Sequence, residues 1–141
     1  VLLYELLVGR VPFESEALSR GGFDELRRRI CDEPPPRPSL RLQTLGADAA
    51  TIAAVRGQTL VSFRRTLARE LEWLPLRAMR KERERRYESA AAFAADVRRY
   101  LRGLPLHAAP ESRAYLLRKF VGRHRVLVGA SAAVATAVVL G

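Results

Sequence analysis

Few side chains in this 141-residue chain are of a type that does covalent or metal chemistry. Cys31 is the single thiol, and the two imidazoles, His107 and His124, stand in no recognisable cysteine-enzyme signature. There is no CxxC and no HExxH, the spacings at which thiolates or imidazoles converge on zinc. Cys31 is therefore read as a small buried hydrophobe, and as a sign of a reducing compartment, because it has no partner for an internal disulfide. The one acidic pair of note, Asp24-Glu25, is explained by its place at the start of a helix. No residue is nominated as base, nucleophile, metal ligand or cofactor contact.

The charge is the next chemical feature. Twenty-five Lys and Arg against 15 Asp and Glu leave a net charge of +10. That is compatible with an anionic lipid surface, an acidic protein or nucleic acid. The aromatic residues recur at core-like helical spacings and do not interleave with the basic ones as a base-stacking platform would require. The cations are spread over several segments, with no helix-turn-helix to gather them on a recognition helix. Nucleic acid is not expected as a partner.

The elements that must carry these residues read as helices, with no strand pattern of comparable strength. Val1–Val8 is apolar on nearly every side except Glu5, which suits a helix buried inside a domain. Gly9 supplies its left-handed stop, and Val11, ahead of Pro12, is extended. A second helix is expected near Gly22–Ile30, with Phe23, Leu26 and Ile30 on one face. Pro34, Pro35, Pro36 and Pro38 then enforce an extended loop. Asp48 is expected to cap a short helix running to Val55. A longer amphipathic stretch covers Val61 to Met79, with Phe63, Leu67, Leu71 and Leu74 in its stripe and a break or new first turn just before Pro75. The mixed-charge run Arg80–Tyr87 reads by itself as a solvated face. Ser89 caps a last helix, Ala90–Arg102, whose apolar face is Phe93, Val97, Tyr100 and Leu101, with Asp96 off that face; Gly103 and Pro105 end it.

The end of the chain differs in kind. Arg113, Arg118, Lys119, Arg123, His124 and Arg125 form a basic stretch beside the uncharged run Val126–Gly141. Sixteen residues at about 1.5 Å each span roughly 24 Å, short of the ~30 Å hydrocarbon core. The run reads as part of a membrane-spanning helix, and the flanking cations place residues 1–125 on the cytoplasmic side of a cell membrane in a single-pass arrangement. The chain opens and closes inside apolar runs, and is expected to be a fragment. Three segments follow: 1–103 as a helical domain portion, 104–125 as a basic juxtamembrane linker and 126–141 as a truncated transmembrane helix.

In their order, these pieces resemble the latter half of the helical lobe of a eukaryotic-type protein kinase. Leu2-Leu3-Tyr4-Glu5-Leu6-Leu7-Val8-Gly9-Arg10-Val11-Pro12-Phe13 is similar to the end of that lobe's long central helix with its Gly-x-x-Pro-Phe exit. Leu26-Arg27-Arg28-Arg29-Ile30 and the proline-rich loop resemble the next helix and connector. Glu72-Trp73-Leu74, Ala78-Met79, Arg86-Tyr87 and Ser89-Ala90 resemble the approach to the lobe's last helix. The chain departs from that pattern at Lys81-Glu82-Arg83, where Lys-Asp-Pro is usual, and at Pro75, where a β-branched residue is common. Basic residues followed by one span are similar to bacterial receptor-like serine/threonine kinases.

The resemblance implies an all-α sub-bundle of the mixed α/β kinase fold. It implies structural roles for Trp73, Tyr87 and Arg86, the last paired with the glutamate of the family's Ala-Pro-Glu motif, which in the family's order stands ahead of these residues and is expected outside them. It further implies membrane-flanking roles for Arg118, Lys119, Arg123 and Arg125. ATP and Mg²⁺ would serve the complete kinase and not this segment, because phosphoryl transfer needs a Gly-rich loop, a phosphate-binding lysine, a catalytic aspartate and a metal-binding aspartate. No GxGxxG, VAIK-like, HRD or DFG sequence is present in the 141 residues. The implied partners are the remainder of the kinase domain, protein substrates and the membrane. The competing reading is a membrane-tethered helical adaptor without enzymatic activity.

Overall fold

The computed structural model describes residues 1–13 and 22–124, and these are helical with no strand among them. In chain order the helices are α1 (Leu2–Val8), α2 (Gly22–Asp32), α3 (Pro38–Arg41), α4 (Ala47–Val55), α5 (Leu60–Thr66), α6 (Trp73–Ala78), α7 (Ala90–Leu101) and α8 (Arg113–Arg123). Short 3₁₀ turns at Leu42–Leu45 and Arg83–Arg85 and a wide π turn at Leu67–Leu71 join some of them. The chain divides into two compact units, Val1–Ala95 and a second that begins at Asp96, inside α7.

The first unit is built on one apolar cluster. Tyr4 and Val8 of α1, Leu42, Ala49 and Ala53 of α4, Phe63 of α5 and Leu67 are all buried together. α1 is only half covered: Tyr4 and Val8 point inward, while Val1, Leu2 and Leu6 are exposed. A helix apolar nearly all round is thus partnered on one side only among the described residues. Gly9 closes it with φ 74° as its pattern implied, and a β-carbon there would come within 3.2 Å of Ile52 Cδ1. Arg56 ties two helix ends, donating to the carbonyls of Leu6 and Ile52, where the negative ends of α1 and α4 favour a cation.

Several local expectations change. α4 is capped by Gly46 at φ 54°, and Asp48 lies in its first turn, 3.2 Å from Arg10 across the gap to the α1 exit. Pro38 begins α3 at its first position, where the missing N–H costs nothing, so the extended loop ends at Arg37. No residue of α2 is buried, and Phe23 and Ile30 face outward. Cys31 is exposed, not buried.

Around Pro75 the stripe continues through a change of helix type. The Glu72 N–H donates to Leu67 O at 3.1 Å, five residues back, which is the wide turn. α6 then starts afresh, with Pro75 in its first turn, where no helical donor is required.

The second unit has few buried side chains. Asp96, Leu106 and Tyr115 are buried, and Leu101 is exposed. Of the face assigned to α7, Phe93, Val97 and Tyr100 are half-buried, while Asp96, placed off that face, is the helix's one fully buried residue. The stretch read as a linker contains α8, capped by Ser112 Oγ, which accepts the Tyr115 N–H at 3.3 Å. Arg125 and the run 126–141 lie outside the described residues. Among those described, no helix is long and apolar enough to cross a membrane.

Candidate functional site

The corner between α6 and α7 holds two of the residues singled out by their types, Arg86 and Tyr87. Arg86 follows the 3₁₀ turn Arg83–Arg85 in extended conformation, so its side chain folds back over Arg80 and Lys81. Its Nε donates to Arg80 O at 2.6 Å and its Nη2 to Lys81 O at 3.1 Å. The residue is exposed, and no carboxylate is paired with it among the described residues. With two of its donors fixed on carbonyls, the guanidinium is pre-oriented and keeps further donors for an incoming carboxylate or phosphate.

Beside it, Tyr87 is gripped from both sides. The Arg77 guanidinium sits 4.7 Å from its ring centre, and Phe93 meets it edge-on at 5.2 Å. Such contacts lock the turn that carries Arg86. Lys81 donates to Ile30 O at 2.5 Å and lies 5.2 Å over the Phe13 ring, joining the end of α2 to the α1 exit. Lys81 and Arg86 form the basic rim of a cavity of about 530 Å³ whose walls include Val11, Pro12, Phe13 and Met79.

Glu72 and Trp73 separate in role. Trp73 opens α6 half-buried. Glu72 is 2% exposed; its carboxylate accepts the Ser39 N–H at 3.2 Å and lies 4.0 Å from the exposed Arg37 guanidinium. Ser39 is in the first turn of α3, whose N–H groups have no helical acceptor, so Glu72 caps that helix from a distant part of the chain. Sequence reading assigned it no such task; the signal was Pro38-Ser39 directly after an extended proline run, a helix start in need of an acceptor.

Two titratable groups are clearly displaced. Burial pushes the Tyr4 hydroxyl up to about 12, with Arg41 opposing and Glu72 adding to the shift. Glu25 accepts from Arg28 and Arg29 at 2.8–2.9 Å, and those bonds hold its carboxyl down at about 2. Both are accounted for by packing and pairing, and neither lies on the Arg86 rim.

In the second unit, Asp96 accepts the N–H groups of His107 at 2.8 Å and Ala108 at 2.9 Å, one on each carboxylate oxygen. Arg99 donates to Pro105 O at 2.6 Å, and the Tyr115 hydroxyl accepts the Leu106 N–H at 3.1 Å. The turn after α7 is thus pinned from both of its helices. Arg118 and Lys119 lie 5.8 and 5.9 Å from the Tyr115 ring centre, and Arg123 ends α8. These are three of the four residues expected to flank a membrane, carried on a helix; the fourth, Arg125, lies outside the described residues.

Among the described residues no group of His, Cys, Asp or Glu is arranged to hold a metal ion. What the Arg86 corner offers is recognition of an anionic group beside an apolar wall. No protein-family model, curated protein or solved structure matches this chain.

Proposed function

We propose that this chain is a supporting segment of the helical lobe of a membrane-anchored serine/threonine protein kinase. In its complete form such a kinase transfers the γ-phosphoryl group of ATP, with Mg²⁺, to protein hydroxyls. The observation that carries the reading is Arg86: an exposed guanidinium held by two backbone carbonyls on a turn clamped by Arg77, Tyr87 and Phe93, with no carboxylate paired to it among the described residues. That is the arrangement required of an arginine whose acidic partner belongs to the activation segment of the same domain. The uncovered side of α1, with Val1, Leu2 and Leu6 exposed, supports it, because a central lobe helix needs apolar cover on both sides. Departures from the usual pattern fall where the structure is irregular, at the π turn ahead of Pro75 and the 3₁₀ turn at Arg83–Arg85. On this reading the segment braces the catalytic half and tethers it through the residues after α8.

The test is the coding sequence in frame ahead of Val1. A Gly-rich loop, a strand lysine, an HRD-type loop and DFG in that order support the proposal. A start codon close upstream overturns it in favour of the adaptor, a reading to which the self-contained cluster around Tyr4, Leu42 and Leu67 lends weight.

A further inference from the structure

α8 is an amphipathic helix mounted the wrong way round for a soluble protein. At about 100° per residue, Leu116, Leu117, Phe120 and Val121 share an arc of about 140°, and Tyr115 lies opposite. Tyr115 is the buried residue, fastened to the Leu106 N–H. The apolar arc faces outward: Leu116 is 52% exposed, Leu117 63% and Phe120 56%. A helix usually hides that face and shows its polar one. Here the anchoring side is the narrow one, and the broad apolar side has no cover among the described residues.

The charges around the arc say what covers it. α8 carries Arg113, Arg118, Lys119 and Arg123 and no acidic residue. By helical phase, Lys119 and Arg123 flank the arc on one side and Arg118 on the other, while Arg113 falls within it at the helix's first residue. Arg113, Lys119 and Arg123 also border a groove of about 460 Å³ floored by Leu116, Leu117 and Phe120. Their long stems reach along apolar surface while the charges stay at its edge. A protein partner would have to match an apolar strip rimmed by cations alone. A bilayer leaflet with anionic headgroups does so without any specific fit, since its acyl boundary takes the apolar side chains and its phosphates the cations. Eleven residues span about 16 Å, too short to cross the ~30 Å core, so the helix lies along the surface.

We propose that α8 is an interfacial helix that lies on an anionic membrane surface, with Leu116, Leu117, Phe120 and Val121 in the acyl boundary and its cations on the headgroups. This rests on the membrane reading above and deepens it: the stretch before the apolar run would be a second, shallow contact that fixes how the second unit meets the bilayer, not a free tether.

The test uses the full chain in a Cys31→Ser background, with Leu117→Cys carrying an environment-sensitive fluorophore and Thr51→Cys, exposed on α4, as control. Each is mixed with phosphatidylcholine vesicles with and without phosphatidylserine, and flotation is measured alongside emission. The expected result is a blue shift and quenching by brominated lipid at position 117, strongest with phosphatidylserine, and none at position 51. Arg118→Gln with Lys119→Gln and Arg123→Gln should abolish the phosphatidylserine dependence. Flotation with position 117 still in water overturns the interfacial helix and leaves the membrane reading standing. No flotation overturns both. An equal shift with and without phosphatidylserine overturns the headgroup contact, and a concentration-dependent shift without lipid overturns the bilayer in favour of a second copy of the chain.

Discussion

In Val1–Ala95 the buried side chains are mostly apolar, from Tyr4 and Val8 through Leu42 and Leu67 to Leu74, whereas among the described residues from Asp96 on they are Asp96, Leu106 and Tyr115. The first unit has enough chain to stack several helices around one cluster, and its buried polar groups are additions to that cluster. The described residues of the second enclose no such cluster and are fastened in another way. Here it is hydrogen bonding: one carboxylate on two backbone N–H groups, one phenol on a third and an arginine on a carbonyl. The lesson is that a buried charge can be the organising element of a small unit when each of its oxygens finds a donor.

That contrast is open to direct attack. Leu67→Ala should have the largest effect, about 3–4 kcal/mol, because it opens a cavity in the centre of the apolar cluster. Urea unfolding would measure it, and amide exchange should quicken in α1, α4 and α5 while His107 and Ala108 keep their protection. Asp96→Ala should cost about 2–3 kcal/mol, the loss of two charge-assisted bonds and the stranding of their donors. Its exchange pattern should be the converse, confined to 104–110 and α8. If both variants loosen both regions equally, the division is not real.

Smaller effects sharpen the same comparison. Tyr4 Oη is buried with no hydrogen-bond partner among the described residues, a polar atom the apolar cluster does not use. Tyr4→Phe should therefore leave stability unchanged or raise it by up to about 1 kcal/mol in thermal unfolding. Because the folded chain holds the Tyr4 proton more tightly, its contribution is complete below pH 10 and lost as pH rises from 10 toward 12. The phenylalanine variant should lack that alkaline loss. Smallest is the acid response of α2, where the Glu25 carboxyl titrates at about 2 in place of 4.5. Its support is present above pH 4.5 and fades as pH falls toward 2, which circular dichroism of wild type against Glu25→Gln would show as a slight difference at neutral pH that disappears in acid. The effect is slight because the pairs are on the surface.

What was legible in the sequence was the punctuation. Gly9, Ser89 and Pro75 act through backbone geometry that few other contexts override, and each ends, caps or restarts a helix as its type demands. What was not legible depended on contacts far along the chain. Asp96 looks like a solvent-facing acid until the turn eleven residues later presents two N–H groups to it. Glu72 looks like one more surface glutamate until α3 begins beside it. The composition of 104–125 reads as a basic linker because five Lys and Arg stand against the single acid Glu111, yet a serine cap and one buried tyrosine are enough to make α8. At the candidate site, Arg86 and Tyr87 were identified by type and order. The clamp that presents them, Arg77 with Phe93 and the two carbonyls, came only with the coordinates.

The wide turn at Leu67–Leu71 has a consequence for changes in chain length. It closes with a hydrogen bond five residues back where an α-helix closes four back, so it takes up one residue more, and Phe63 and Leu67 ahead of it and Leu74 after it are all buried. Losing a residue from within it would leave an ordinary helix whose two halves keep their facing, with Glu72 still aimed at Ser39. The same loss in Leu60–Thr66 would turn everything after it by about 100°. The helix thus contains its own slack, placed just ahead of the proline that would otherwise tolerate no adjustment.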